Sequence, residues 1–398
     1  MAPASYRFTT RTSRGVMDQL IPLLAAWRVM RLGTREVVDA LVLPEHRGGS
    51  AVLQGRLAAW PGRWYWADPG QTRLVLVRAL PGTPRPRWLL HGALFALAVL
   101  FALGAGAALA GVWYPPEAPG FRGVFTGIGQ FFVGLAEGEW RALLEGWTFA
   151  LPLLAILLVH ESGHYFAARR YNIDVSPPYF LPIPPTLSPI GTLGAFIRLR
   201  SPVLDRRQLL DVGAAGPLAG FVVALGVLVW GYLTSHTTAS MPAGLGAGGS
   251  ATSWISFAGQ PIGLGDSILT HLLRRWTFGN ATAVHLSLPA FAGWVGAFIT
   301  GLNLLPLSQL DGGHILYGLL GHRQRPVAVA AVLGLLALAQ LSPNWYVWVA
   351  MTFIIGGGRW SHPSVMVPDR HVPTSRRWVG LASVVVFVLT FVPIPFAV

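Results

Sequence analysis

The sequence predicts an all-α polytopic membrane protein of about six to seven transmembrane helices. It adds one short strand-like segment and a small mixed N-terminal cytoplasmic domain. Three observations carry that prediction. Hydrophobic residues make up 53% of the 398 residues and charged residues only 11%, where soluble domains run near a quarter charged. Mean hydropathy is +0.52, and apolar runs recur between Arg- and Pro-rich borders. The 16 Trp suit a chain with two membrane–water interfaces to anchor.

Composition also excludes chemistry. There is no Cys, so disulfides, thiolate metal sites and Cys nucleophiles are ruled out. All 29 basic residues are Arg, which removes Lys-based nucleophiles and Schiff bases. The net charge of +13 reads as cytoplasmic loops obeying the positive-inside rule, not as a nucleic-acid surface. No secretory signal peptide is expected, because the apolar stretch Leu20–Trp27 is short and lacks a cleavage site.

In chain order, residues 1–88 read as a small polar domain. Gly15–Arg31 is expected to be an amphipathic helix, with strands at Ala51–Leu57 and Arg73–Ala79 and a linker at Pro81–Pro86. The first span is Leu89–Val112, and an amphipathic stretch, Phe121–Trp147, follows. The second span runs from Thr148 to about Ala168 and ends at Arg169-Arg170. A Pro-rich segment, Pro177–Pro189, precedes the strand-like Gly191–Arg200. The third span is Val212–Leu233, followed by a Gly/Ala/Ser/Thr-rich loop, Thr234–Pro289. The fourth begins near Ala290 and breaks around Pro306. Val327–Leu341, Trp345–Gly356 and Trp378–Phe396 complete the set.

Arginine placement orients these spans. Residues 1–88 hold thirteen Arg against five acidic residues, and residues 169–207 hold six Arg, so both belong inside. Residues 114–147 hold two Arg against four Glu, which suits the outside. Arg274-Arg275 falls on the outside and is a mild violation.

The chemistry sits in the second span. His160-Glu161-Ser162-Gly163-His164 is an H-E-x-x-H pattern. On a helix, positions i and i+4 share a face, so both imidazoles reach one metal ion. Glu161 is then placed to take a proton from a water activated there. Polar and ionisable groups inside a run as apolar as Leu151–Val159 are costly, which makes a functional role the default. The competing reading is a hydrogen-bonded polar cluster between helices. Zinc needs a third protein ligand and an open position. Asp311 is the acidic residue inside the later spans, at a depth similar to that of His160 when each is counted from its nearest Arg. It sits where Pro306 and Gly312-Gly313 interrupt the helix, and a helix N-cap is its ordinary alternative. His314 is either a support to the metal site or a packed side chain.

Several motifs together resemble the site-2 protease family of intramembrane zinc metallopeptidases. They are His160–His164, Tyr179-Phe180-Leu181-Pro182, Gly191–Ile197, Gly213–Gly220 and Asn303–Gly313, within a match spanning roughly Leu151–His322. The resemblance implies that His160, His164 and Asp311 bind one zinc ion, that Glu161 is the general base, and that Asn303 orients substrate or stabilises the oxyanion. It also implies that Gly191–Arg200 is a membrane-re-entrant β-segment that pairs with an unwound substrate. The branch resembled has an extra N-terminal domain, and no PDZ domain is expected, because the Thr234–Pro289 loop is too short for one.

These readings lead to a zinc metalloendopeptidase cutting peptide bonds in or near transmembrane segments, in regulated intramembrane proteolysis. Residues 1–88 would form the N-terminal domain and residues 89–398 the protease domain, with its core at 148–322. The expected partners are transmembrane protein substrates and the lipid bilayer, with no nucleic acid. The expected location is the cell membrane of a prokaryote, with the active site in the cytoplasmic half. A catalytically silent client binder and an intramembrane proton relay are the alternatives. The intact Glu161 argues against the first, and the lack of internal repeats argues against the second. Gly213, Gly216 and Gly220 are read as small residues that let membrane helices approach closely, not as site residues.

Overall fold

The computed structural model describes residues 17–397, apart from 33–34, 80–85, 114–119, 172, 201–202, 204, 246–250, 282, 361, 363–364 and 366–371; side chains of 31–32, 120–124, 355 and 397 are also outside the description. The expected linker before Pro86, the segment 114–116 after the first span and part of the basic 358–377 segment fall outside the described residues. The chain divides into two compact units. One comprises Met1–Pro86 with Arg169–Ser176 and Leu199–Pro202, and the other holds the rest.

In the first unit, β1 (Leu24–Leu32), β2 (Arg35–Val42), β3 (Arg63–Trp66) and β4 (Arg73–Ala79) form an antiparallel sheet of order β1-β2-β4-β3. Helix α1 (Ala51–Ala58) contributes Leu53 and Leu57 to a core with Val38, Ala40, Val42, Leu74 and Leu76. Two expectations fail here. Ala51–Leu57 is a helix, not a strand. Ser50 caps it by accepting from the Leu53 N–H at 3.3 Å, and its buried residues recur at i, i+4. From Met17 onward, the expected Gly15–Arg31 helix gives only a turn before Pro22, and Leu24–Leu32 is a strand. Pairing with β2 along its whole length outweighs the helical periodicity. Arg78 and Glu36 form a buried ion pair, with the guanidinium 5.2 Å from the Trp60 ring. The two returning segments pair with each other through a bridge between Val175 and Leu199 and a 2.7 Å bond from the Arg200 N–H to the Asp174 carbonyl.

The second unit is mostly helical. Among the described residues, three helices are long and apolar enough to cross a membrane by length and composition: α2 (Trp88–Leu109), α5 (Trp147–Arg170) and α6 (Arg206–Thr234). Between α2 and α5 lie α3 (Gly120–Gly134) and α4 (Trp140–Leu144), which break the expected Phe121–Trp147 amphipathic stretch at Gly138, where φ is +107°. The Pro-rich segment and the strand-like run form a two-stranded antiparallel sheet, β5 (Tyr179–Pro182) with β6 (Thr192–Phe196). Helix α2 backs β5. His91 on α2 lies 3.0 Å from the Pro178 carbonyl, and its ring meets that of Tyr179 at a tilt of 38°.

The Thr234–Pro289 loop carries structure of its own. Here β7 (His236–Thr237), β8 (Ser253–Phe257), β9 (Gln260–Leu264) and β10 (Val284–His285) join β11 (Phe396–Ala397) from the chain end, in the order β11-β9-β8-β10-β7. Helix α7 (Ile268–Phe278) begins with a Ser267–Thr270 capping box. Arg274 is buried on it, donating to Asp266 at 3.3 Å and to the Ala281 carbonyl at 2.8 Å. Its charge is neutralised locally, which gives a physical reason for the misplaced arginine.

The remaining helices are shorter: α8 (Leu288–Asn303), α9 (Asp311–Leu320), α10 (Gln324–Leu338), α11 (Asn344–Ile355) and α12 (Ser375–Thr390). The fourth apolar segment breaks where expected, between α8 and α9. The last expected span stops at Thr390, because Pro393 and Pro395 follow and Phe396–Ala397 pairs with β9. Helices α6 and α8 pack closely along one core. Ser287 pins their ends by donating to the Gly231 carbonyl at 2.8 Å.

Candidate metal centre

Helix α5 carries His160, Glu161 and His164, all buried, within its apolar length. Because the i, i+4 spacing puts both imidazoles on one face, their Nε2 atoms lie 3.2 Å apart. Asp311 reaches them from the first residue of α9. Its Oδ2 is 3.3 Å from His160 Nε2 and 3.3 Å from His164 Nε2. Asn303, at the end of α8, places Nδ2 3.4 Å from His160 Nε2. The Ile197 backbone N–H, directly after β6, faces the Glu161 carboxylate. The residues expected to form the site thus converge from three helices and the end of one strand. His314 is not in this cluster; its Nδ1 lies 2.8 Å from His362 Nε2.

The donor set fits a zinc ion. His164 Nδ1 lies 2.7 Å from the Val212 carbonyl, which can only accept, so Nδ1 carries the proton. In a neutral ring, Nε2 is then a bare lone pair. That lone pair faces the Asp311 carboxylate oxygen and His160 Nε2, a set of ligand atoms that one cation would satisfy. Zinc–ligand lengths near 2 Å in a tetrahedron require ligand atoms about 3.3 Å apart, and the three separations here are 3.2–3.3 Å.

Two features of the site were not assigned to it from sequence. A Cβ at Gly216 would overlap the His164 ring, and one at Gly220 would come within 3.0–3.1 Å of His160 atoms. These glycines therefore make room for the two ligand rings as well as for a close helix approach. The signal was present: Gly216 and Gly220 repeat the four-residue spacing of the two histidines on the facing helix. The Val212 carbonyl left no signal, because any residue carries one.

The profile of peptidase family M50 matches residues 148–340, the stretch that holds His160, Glu161, His164, Asn303 and Asp311. That stretch is similar to peptidase family M50. Curated relatives agree. The chain is 30% identical over 262 residues to "Probable zinc metalloprotease EGY2, chloroplastic" of Arabidopsis thaliana, covering 64% of this chain and 43% of the relative. It is 32% identical over 268 residues to "Probable zinc metalloprotease EGY1, chloroplastic" of Oryza sativa subsp. japonica, with 64% and 43% covered. The chain thus spans less than half the length of these relatives. No solved structure matches. The M50 match begins with α5 and ends just beyond α10, so α2, which backs β5, and α11 and α12 lie outside it.

Proposed function

We propose that this chain is an intramembrane zinc metalloprotease that hydrolyses peptide bonds in or near transmembrane segments of membrane proteins, in regulated intramembrane proteolysis. The observation that carries the reading is the equal 3.2–3.3 Å spacing of His160 Nε2, His164 Nε2 and Asp311 Oδ2, with Glu161 one residue from a ligand on the same helix. The relatives' names, zinc metalloprotease, point the same way.

In this reading His160, His164 and Asp311 hold one zinc ion. Zinc bound there would supply Lewis-acid activation of a water and of the scissile carbonyl. Glu161 takes the water's proton and returns it to the leaving amine. Asn303 directs its amide N–H toward the carbonyl oxygen of the substrate. A buried helical amide is shielded from attack, so the substrate must unwind, and its freed backbone groups need partners where there is no water. The sheet β5–β6 is two-stranded among the described residues, which leaves an edge for an extended substrate. The Ile197 N–H facing Glu161 puts the end of that sheet beside the base.

The remaining assignments belong to the same proposal. Residues 1–88 form a separate cytoplasmic domain and residues 89–398 the membrane-embedded protease domain, with its core at 148–322. The chain makes six or seven crossings, the later ones through α8 to α12. The protein is a multi-pass protein of a prokaryotic cell membrane. The metal lies in the half of the bilayer nearer the basic segments. The grouping of Arg169–Ser176 with the N-terminal sheet supports one side for both.

The test is purified full-length chain with a transmembrane substrate. Glu161→Gln should retain one zinc per chain and fold normally, with cleavage reduced at least about 100-fold, the scale of a lost general base. Near-normal turnover in that variant, or no zinc in the wild type, would overturn the reading.

A further inference from the structure

Asp311 stands on the least regular backbone of the site, after the break that ends α8. Ser308 within the break adopts φ +43°, a conformation side chains rarely take. Its backbone N–H donates to the Trp360 carbonyl at 2.8 Å. The Gln324 side chain is 1% exposed and bridges two segments: its Nε2 donates to the Pro306 carbonyl at 3.3 Å, and its Oε1 accepts from the His362 N–H at 3.2 Å. The His362 ring meets His314, one helical turn beyond Asp311, at 2.8 Å. A Cβ at Gly356 would overlap the Ser308 side chain, so the chain after α11 lies directly on the break.

We propose that Gly356–Trp360 and His362, which lie beyond the M50 match, act as a strap that positions Asp311 for the metal, with His362 and Gln324 as positioning residues. The inference rests on the metal-site reading above. The physical need is clear. Residues 304–310 have left the helix; the α8 end and local turns satisfy the N–H groups of Leu304, Leu305, Leu307 and Leu310, while the Ser308 N–H and the Pro306 carbonyl take partners from outside the break. The strap supplies partners at Pro306, through Gln324, and at Ser308. It also holds α9 through His314, so Asp311 is tied on both sides. Histidines 160 and 164 need no such device, because the α5 ladder fixes them.

The experiment measures zinc affinity of the purified full chain by competition with a fluorescent chelator, alongside cleavage at limiting and at excess zinc. His362→Ala should weaken zinc about 10- to 100-fold, the range for losing a support to a ligand. Its cleavage should fall at limiting zinc and recover in excess. His362→Gln places an amide near the lost Nε2 and should restore most of the affinity; a role in packing alone would not be rescued this way. Should His362→Ala fail to fold, Gln324→Met removes the bridge with similar volume and should weaken zinc in the same direction. Unchanged zinc affinity in these variants, or a Gln variant as weak as Ala, would overturn the strap. A wild type that binds zinc and an inert Glu161→Gln, beside unaffected His362 variants, would sink the strap alone. A wild type without zinc would sink the underlying reading.

Discussion

The two halves of the metal centre are built differently. His160, Glu161 and His164 stand on the unbroken α5, within about one turn. Asp311 stands at the start of α9, after a seven-residue interruption, 304–310. In the first half, local backbone geometry sets the ligand spacing, and burial only prevents the rings from moving. In the second, the ligand's position depends on contacts from distant segments. A helix interior satisfies its own hydrogen bonds, whereas an interrupted helix at depth must borrow partners. A precise metal site needs one rigid wall and tolerates one assembled wall, provided that wall is tied down.

The comparison can be broken by removing a ligand from each half. His164→Ala and Asp311→Ala should each lower zinc affinity more than about 100-fold, beyond the range for supporting residues. If Asp311→Ala keeps full occupancy by metal analysis, the assembled half is not a ligand wall at all. A smaller effect should follow from crowding the rigid half. Gly216→Val would drive a side chain into the His164 ring. Overpacking of this kind costs about 1–3 kcal/mol. Thermal unfolding should register that loss, with weakened zinc, while Gly226→Ala, at an open position, should be near neutral.

The smallest effect concerns the strand edge beside the site. Successive N–H groups on a strand point to opposite edges, so only one of Ala195 and Phe196 aims its donor away from β5. Proline at the outward position should cut cleavage by up to about tenfold, the scale of one hydrogen bond, with zinc retained. Proline at the inward position should instead destabilise the β5–β6 pair. Normal cleavage of a transmembrane substrate by both variants would remove the pairing role.

Much of the site was legible because its signals are chemical and short-ranged. An H-E-x-x-H turn inside an apolar run has few structural explanations, and Asp311 stands out as an acidic group where charge is costly. The same logic located the break at Pro306 and the strand-like Gly191–Arg200. The N-terminal unit was harder. Ala51–Leu57 offers apolar residues compatible with either period, and only the Ser50 cap and the packing of Leu53 and Leu57 against the sheet select a helix. Leu24–Leu32 was drawn into a strand by a partner that follows it in the chain.

By itself, then, the sequence determined the membrane-like character of the chain, the two histidines and the glutamate on one helix face, and the candidate third ligand. Those properties follow from composition, from the 3.6-residue period and from the cost of charge in an apolar setting, all of which are local. The tertiary structure decided the rest. It brought Asp311 to within 3.3 Å of both imidazoles, seated those rings over Gly216 and Gly220, oriented His164 on the Val212 carbonyl, and laid Trp360 and His362 over the broken helix. Each of these joins groups tens to hundreds of residues apart, and no local pattern records which backbone carbonyl or which distant loop will arrive there.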